Sequence, residues 1–382
     1  MPLSRGERRS SRRSRRMTRE ARLHRVPMRD PGDVSAIDAL LEAGALAAHD
    51  IVAILGKTEG NGCVNDFTRA YAVSALSALL ARRLGTTPEA AAARVALVMS
   101  GGTEGGLSPH FLVLSVRETA APPRGALALG TAFTRDFLPE EIGRTPQLRA
   151  TADAVRAAMA QAALPGPDSV HYVQVKCPLL TSGRIVEARA RGATVCTEDT
   201  YRSMALSRGA SALGVALALG EVAEAALSDA AIGRDLSLFS HRASCSAGVE
   251  LTRNEIVVMG NSPAWAGELV IGHAVVQDAI DLPAVQAALA AAGLAAPGQL
   301  APAQAERLAA VLAKAEPAAS GLIRGNRHIM MDDSDIHATR HARALVGGVI
   351  AAAVGRTDLF VSGGAEHQGP DGGGPVAVIA RR

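Results

Sequence analysis

The sequence contains very little lysine and few aromatic residues. Aromatic residues make up 3% of the 382 positions, which leaves no stacking platform of the kind that proteins binding single-stranded nucleic acid use. No run of about 18 uninterrupted apolar residues occurs, and no charged-then-apolar leader opens the chain, so neither a membrane span nor secretion is indicated. The hydrophobic content of 48% is enough for large cores. We therefore expect a cytoplasmic protein with no membrane and no nucleic-acid partner.

Cysteine is also scarce, with four residues in the whole chain. None of them shows the CxxC spacing of a zinc site or a redox motif, and a chain of this length does not need disulfides for stability. We expect buried thiols at the four positions, Cys63, Cys177, Cys196 and Cys245.

The positive charge of the chain is confined to its N-terminus. Residues 1–16 contain seven Arg and one Glu, whereas the whole chain has a net charge of +3, so the remainder is slightly acidic. We interpret residues 1–16 as an Arg-rich disordered tail, or as a segment that precedes a true start at Met17. The alternative is a nucleic-acid contact or a targeting segment, and deleting the tail would then remove salt-sensitive binding.

Only three of the 40 basic residues are lysines. Arginine keeps its proton in proteins, whereas a desolvated lysine can lose it and act as a base. Each lysine ends an apolar, strand-like run and precedes a Ser-small-Gly-x-Glu sequence, which we call the serine motif; its copies are SGGTE (100–104), SAGVE (246–250) and SGGAE (362–366). The pairs are Lys57 with Ser100, Lys176 with Ser246 and Lys314 with Ser362.

An arginine stands between each lysine and its serine. Arg69, Arg208 and Arg340 each follow a hydroxyl residue and open a helix-like apolar segment. The recurrence predicts three divergent α/β repeat units at 17–119, 127–263 and 269–382, which we call the first, middle and third units. We expect them around a pseudo-threefold axis, forming a barrel-like core with helices outside and bringing the three Lys, Arg and Ser residues together.

These residue types predict acyl transfer. Arginine presents a planar fork of donors to carbonyl or oxyanion oxygens, a serine followed by small residues leaves backbone N–H groups open as an oxyanion hole, and a lysine beside a serine can take its proton. The simplest reaction is hydrolysis of an amide in a small ring. The other hypotheses are a non-catalytic binder of polar rings, which would not need the lysines, and the nucleic-acid-associated protein considered above.

The residues that follow the lysines favour the middle pair as the catalytic one. Lys57 and Lys314 each have a glutamate two residues on, Glu59 and Glu316, whereas Lys176 is followed by Cys-Pro. Residues two apart on a strand share a face, and a nearby carboxylate would keep its lysine protonated. We therefore expect Lys176 to become neutral most easily.

Several stretches of the sequence resemble the cyanuric acid amidohydrolases, which are relatives of barbiturase. The likeness spans residues 17–382 and is carried by ILGKTEGNGCVNDFTR, VMSGGTEGGLSPH, VQVKCPLLT, SRGASALG and VSGGAEHQGPDGGGPVAVIAR. The resemblance implies three repeating units around a barrel-like core, a homotetramer, and a role in s-triazine degradation. The implied reaction opens cyanuric acid to carboxybiuret, which yields biuret and carbon dioxide. The alternative within the same chemistry is the opening of barbituric acid to ureidomalonate.

The same resemblance implies roles for individual residues. Ser246 would be the nucleophile and Lys176 its base. The substrate would be held by Arg69, Ser100, Gly101, Arg208, Ser246, Ala247, Arg340, Ser362, Gly363, Lys57 and Lys314. No organic cofactor is implied. A structural divalent cation is implied, namely Mg²⁺, and the oxygen ligands suit such a hard cation. Those ligands would be Glu316, Ala365, Gln368, Gly369, Pro370 and Gly373.

Overall fold

The computed structural model describes residues 17–382, and the Arg-rich tail predicted at 1–16 lies outside this range. Within it the chain is mixed α/β, with four sheets and nine α-helices. None of the helices in residues 17–382 is long and apolar enough to cross a bilayer. All four cysteines are free thiols; Cys177 and Cys245 are buried as expected, whereas Cys63 and Cys196 are only partly buried.

The first sheet is built from the N-terminal quarter of the chain. Its elements in chain order are β1 (Thr18–Pro27), α1 (Ser35–Glu42), β2 (Ile51–Thr58), α2 (Phe67–Leu84), α3 (Pro88–Ala92), β3 (Ala96–Gly101) and β4 (His110–Thr119). The strand order is β3-β2-β4-β1, in which β2 and β3 are parallel and the other pairs are antiparallel.

The second sheet repeats this arrangement. Its elements are β5 (Ala126–Phe133), α4 (Thr145–Gln161), β6 (Val170–Pro178), α5 (Ser182–Ala190), α6 (Thr200–Leu219), β7 (Ala243–Gly248) and β8 (Glu255–Ser262). The order is β5-β8-β6-β7, and β6 and β7 are the parallel pair. A short strand follows, β9 (Trp265–Ala266), and it extends the first sheet by pairing with β1.

The third sheet is built from the C-terminal part of the chain. Its elements are β10 (Leu269–Val276), α7 (Leu282–Ala291), α8 (Pro302–Arg307), β11 (Leu308–Ala315), β12 (Leu322–Ile323), β13 (Asn326–Arg327), α9 (Ala338–Val354), β14 (Phe360–Gly363) and β15 (Gly374–Arg381). The order is β10-β15-β11-β14, with β11 and β14 parallel, while β12 and β13 form a separate two-stranded sheet.

The three large sheets share one strand order and one pattern of parallel and antiparallel pairs. Each also has a register shift near the start of its second strand, between Ile51 and Ala53, between Val170 and Tyr172, and between Leu308 and Ala310. The strands assigned in residues 17–382 form separate sheets rather than one closed barrel. The boundaries of the predicted units stay a prediction. Each unit contains the strands of one large sheet, except that β5 begins one residue early and β9 of the first sheet lies between the middle and third units.

The central hydrophobic core receives side chains from all three sheets. Leu55 and Val98 enter it from the first sheet, Val175 from the second, and Leu312 and Phe360 from the third. Because side chains alternate along a strand, the other face of each sheet is left for the helices. The sheets therefore lie inside, and their helices lie on the outer faces.

The helices that carry the predicted arginines begin and end in the same way. α2, α6 and α9 each begin at a residue whose side chain accepts a hydrogen bond from the first turn, namely Asp66, Asp199 and His337. Each ends at a glycine in the left-handed conformation, Gly85, Gly220 or Gly355. These signals fix where each helix starts, and so they fix the depth at which its arginine lies.

Candidate active site

Each lysine lies directly beside the serine of its own unit. Lys57 pairs with Ser100 across β2 and β3, Lys176 with Ser246 across β6 and β7, and Lys314 with Ser362 across β11 and β14. All three lysines are fully buried. In every case the serine is on the edge strand of its sheet, which leaves one row of backbone groups without a partner in that sheet.

The first and third pairs are hydrogen-bonded. Lys57 Nζ donates to Ser100 Oγ at 3.3 Å, and Lys314 Nζ donates to Ser362 Oγ at the same distance. The two serines also contact each other, because Ser100 Oγ donates to Ser362 Oγ at 3.2 Å. The hydroxyls of these two pairs are therefore already engaged.

The middle pair is different. Among the described residues Ser246 Oγ has no hydrogen-bond partner, although it is buried. Lys176 Nζ donates to the Met99 carbonyl at 2.6 Å and lies 2.8 Å from Glu250 Oε1. Ser246 is thus the serine of the three whose hydroxyl is free to react.

The ionisation of the lysines is set mainly by burial, which lowers the pKa of all three. The pKa of Lys314 falls to about 7. The expectation that Lys176 lacks a carboxylate partner was wrong, because Glu250 supplies one from the serine motif and raises the pKa of Lys176 against the effect of burial. Glu59, the proposed partner of Lys57, is exposed. The carboxylate partner of Lys176 therefore comes from the serine motif and not from the strand that carries the lysine.

Three arginines from the three capped helices surround the serines, but the third is not the predicted one. Arg69 and Arg208 line the cavity between the units, as expected, and Arg343 completes the set. Arg340 lies three residues earlier on α9 and is not among the described residues that line this cavity. Because α9 begins at Ala338, Arg340 lies in its first turn, and Arg343, about one turn later, is the arginine at the level of the serines. The structure therefore places Arg343, rather than the predicted Arg340, beside the serines.

Each serine motif also supplies a glutamate, and sequence reasoning gave these glutamates no role. Arg343 Nε donates to Glu104 Oε2 at 2.7 Å, and Arg208 is bound by both oxygens of Glu366 at 2.8 and 2.7 Å. Each of these pairs joins the helix of one unit to the serine motif of the next. Glu250 is farther from Arg69, at 3.8 Å from its Nε.

The cavity between the units is small and polar. It encloses about 260 Å³, part of it open to solvent. Lys176 lines it, whereas Lys57 and Lys314 do not appear among its described lining residues. The lining consists of Gly62, Arg69, Met99, Ser100, Gly101, Lys176, Met204, Arg208, Ser246, Ala247, Arg343, Ser362 and Gly363. A compact ligand rich in carbonyl oxygens matches this set of donors.

A second cavity, which encloses about 520 Å³ with part of it open to solvent, is lined by much of the predicted metal site. Glu316, Ala365, Gly369 and Pro370 line it, together with Glu366. Burial, and then the charge of Glu366, raise the pKa of the Glu316 carboxyl to about 7.

Two of the predicted metal ligands do not line this cavity. The Gln368 side chain accepts from the Cys245 N–H at 2.6 Å and donates to the carbonyls of Gly364 and Glu366, while the Gly373 N–H donates to the Pro370 carbonyl. No cluster of three or more His, Cys, Asp or Glu side chains that could hold a metal occurs in residues 17–382. Any cation here would be bound mostly by backbone oxygens.

Comparison with known proteins identifies the family. A sequence model described as amidohydrolase ring-opening protein matches residues 22–381. The chain belongs to this family. The resemblance predicted from the sequence is therefore confirmed, and the ring-opening amidohydrolase family accounts for the chain over nearly its full length.

Individual ring-opening amidohydrolases agree closely with the chain. A cyanuric acid amidohydrolase from Azorhizobium caulinodans is 58% identical, over 95% of this chain and 98% of the relative. One from Enterobacter cloacae is 54% identical, over 95% and 99%. A solved structure of a cyanuric acid hydrolase superposes with a TM-score of 0.91 at 50% identity, over 96% of this chain and all of that chain.

Within this ring-opening amidohydrolase, the two arginines of α9 provide a direct test of the site. Arg343→Met should lower kcat/KM by about 10- to 150-fold, because hydrogen bonds to a charged group contribute roughly 1.5–3 kcal/mol. Arg340→Met should stay within about threefold of wild type. Steady-state kinetics of both variants measure the difference, and a larger loss for Arg340→Met would show that the cavity has been assigned to the wrong arginine.

Proposed function

We propose that the chain hydrolyses cyanuric acid, opening the ring to carboxybiuret, which then loses carbon dioxide to give biuret. The observation that carries the proposal is the free hydroxyl of Ser246 in a cavity surrounded by three arginines. Cyanuric acid is a compact ring with three carbonyl oxygens, which three arginine forks can bind. The relatives named above act on cyanuric acid according to their names, and that favours this ring over barbituric acid.

The middle pair performs the chemistry in this proposal. Neutral Lys176 takes the proton of Ser246 Oγ as that oxygen bonds to a ring carbonyl carbon. The C–N bond then breaks, and its electron pair stays on the ring nitrogen, which takes the proton from Lys176. Water next attacks the acyl-serine, giving its proton to Lys176, which returns it to Ser246 as the product leaves. The burial that lowers the pKa of Lys176 favours the neutral amine that the first step requires.

The remaining residues of the cavity bind the ring. Arg69, Arg208 and Arg343 hold carbonyl oxygens, while the backbone at Ala247 supports the developing oxyanion. Ser100 and Ser362 are bonded to each other and to their lysines, so they serve as fixed polar groups of the binding site rather than as nucleophiles. Their neighbours Gly101 and Gly363 leave room for the ring.

The arrangement of the units belongs to the same proposal. We infer three divergent copies of one unit around a pseudo-threefold axis that passes through the cavity. The shared strand order supports this, and so do two contacts between units: Lys176 Nζ donates to the Met99 carbonyl of the first unit, and Lys314 Nζ to the Cys245 carbonyl of the middle unit. A ligand with threefold character suits such an axis.

We also propose a structural Mg²⁺ in the second cavity. Glu316 is a carboxyl group next to a second carboxylate, with the Gly364 N–H as a hydrogen-bond donor. A hard cation would offset this charge, and carboxylate and carbonyl oxygens are the ligands it prefers. Glu316 would hold the ion with oxygens of the 365–373 loop, and Gln368 would orient that loop through its bonds to backbone carbonyls. The ion would fix the loop that carries Glu366 and would supply no chemistry to the ring.

Removing this cation should lower stability. We expect the Tm of the wild type to rise by several degrees when Mg²⁺ is added to chelator-treated protein, because a ligand that binds the folded state stabilises it by mass action. Glu316→Gln should abolish the response. Thermal melting with metal analysis measures both, and an equal Tm response in wild type and variant would place the metal elsewhere.

We also propose that the protein is a homotetramer. It would be located in the cytoplasm and would need no organic cofactor. Large apolar side chains are exposed at the start of α2, where Phe67 is 80% and Tyr71 57% exposed. Exposed apolar side chains that lie close together are typical of protein–protein interfaces. A molecular mass determined in solution decides the number of subunits.

The experiment that tests the function is direct. Purified protein is incubated with cyanuric acid or barbituric acid, and carbon dioxide, biuret and ureidomalonate are quantified. Biuret and carbon dioxide from cyanuric acid support the proposal. Opening of barbituric acid alone would keep the reaction class and overturn the substrate, and no reaction with either ring would leave a binding protein.

A further inference from the structure

The carboxylate of the middle serine motif does not do what its two counterparts do. Glu104 and Glu366 each bind an arginine through two hydrogen bonds. Glu250 instead has its Oε1 at 2.8 Å from Lys176 Nζ. Its side chain is also more buried, at 5% exposed against 19% and 20% for Glu104 and Glu366. Two of the three motif glutamates thus bind an arginine, whereas the third, Glu250, contacts a lysine.

The backbone of the motif explains the change. The motif glycines Gly102 and Gly364 have φ angles of +104° and +78°, and a Cβ on either would collide with the arginine of the neighbouring unit. Gly248 is not in the left-handed region, and a Cβ there would collide with the Glu250 carboxyl. The middle motif therefore turns differently after its serine, and its glutamate folds back towards β6.

The charges around Lys176 identify Glu250 as the group that acts on it most directly. The other groups are Arg69, the Cys177 thiol next in sequence, and Glu255 on β8, which is opposite Lys176 in register. Glu255 is already engaged, because its carboxyl accepts from the Leu97 N–H at 2.8 Å. Glu250 is thus the carboxylate in direct contact with the Lys176 amine.

We propose that Glu250 is a positioning residue that distinguishes the middle pair, by holding the Lys176 amine and stabilising the ammonium ion that forms when Lys176 takes the serine proton. The inference rests on the proposed function. With Glu250 and the Met99 carbonyl as its partners, Lys176 leaves the Ser246 hydroxyl free, whereas Lys57 and Lys314 bind their serines. When Lys176 accepts the serine proton, the new positive charge is formed beside a carboxylate in a buried site, where such a contact is strong.

Glu250→Gln tests this with little change in shape. We expect kcat to fall by about 10- to 100-fold, because the ammonium ion loses its counter-charge. The carboxylate raises the pKa of Lys176, so its removal lowers that pKa further, and the base is neutral at lower pH. The acidic limb of the kcat/KM profile should therefore move to lower pH by about one unit or more. If Glu250→Gln acted only by removing packing contacts, kcat would fall but the acidic limb of the pH profile would not move.

Glu104→Gln is the matched control, since it alters the same motif in the first unit. We expect it to raise KM by loosening Arg343 and to leave the acidic limb where it is in wild type. Melting curves confirm that both variants are folded. Equal pH profiles for the two variants would overturn the proposal and give Glu250 a purely structural role.

The scarcity of lysine allows a second readout that does not depend on turnover. Protein labelled with ¹³C-lysine contains three labelled side chains, and NMR follows the titration of each, with Lys176 assigned from Lys176→Met. Glu250→Gln should lower one pKa, that of Lys176, and leave the other two near wild type. If the wild type fails to open cyanuric acid yet this shift occurs, the proposed function falls and the Glu250–Lys176 coupling stands. An unchanged Lys176 titration overturns the inference in an active enzyme as well.

Discussion

Ser246→Ala should abolish the opening of cyanuric acid, with kcat falling on the order of 10⁴-fold or more, as expected when a covalent nucleophile is removed. The Ser246 hydroxyl has no partner among the described residues, so its loss breaks no hydrogen bond and should leave the Tm nearly unchanged. Release of biuret and carbon dioxide measures the activity, and binding of cyanuric acid by calorimetry should persist.

Ser100→Ala and Ser362→Ala are the controls for this result. Both serines are engaged by a lysine and by each other, so their loss should weaken substrate binding and keep kcat within about tenfold of wild type. A loss of turnover in Ser100→Ala equal to that in Ser246→Ala would mean that the nucleophile is not confined to the middle unit.

Lys176→Met should have the second-largest effect, a fall in kcat of about 10²–10⁴-fold, which is the usual contribution of a general base. Methionine keeps the length and the apolar stem of the side chain, so the packing between β6 and β7 is preserved. The variant should bind cyanuric acid but turn it over slowly, and its residual rate should lose the pH dependence that Lys176 gives to the wild type.

Lys57→Met is the matched control, because Lys57 is equally buried but is bonded to Ser100 and to the Gly101 carbonyl. We expect a higher KM and a kcat within about tenfold of wild type. If Lys57→Met loses the pH dependence and Lys176→Met keeps it, the base belongs to the first unit.

The sequence predicted the parts of the site that depend on strands. Each lysine was paired with a serine from the threefold recurrence of the two residues, and the register of Lys57 with Ser100 shows why they meet: both stand at the same level of a parallel pair of strands. The family followed from long stretches that resemble its members. The scarcity of lysine was informative because Arg serves equally well wherever only charge is needed.

The parts that depend on helix depth and loop conformation could not be predicted as well. Arg340 was chosen because a hydroxyl residue precedes it, as in the other two units, but the depth of an arginine depends on where its helix begins. A better signal was the small residue that follows each of the three arginines lining the cavity: Ala70, Gly209 and Ala344, against His341 after Arg340. The partner of Glu250 goes with a different backbone conformation at Gly248, which the two residue differences between the middle motif and either of the others do not reveal.

The arginine–glutamate contacts have a consequence for how such a protein can be divided. Arg208 is held by a glutamate from the third unit and Arg343 by one from the first, while Arg69 approaches Glu250 of the middle unit. Every such contact crosses a border between units, so excising any one unit destroys two of the three. A fragment that lacks one unit keeps only one of these contacts, so we expect the smallest functional piece of the chain to contain all three large sheets.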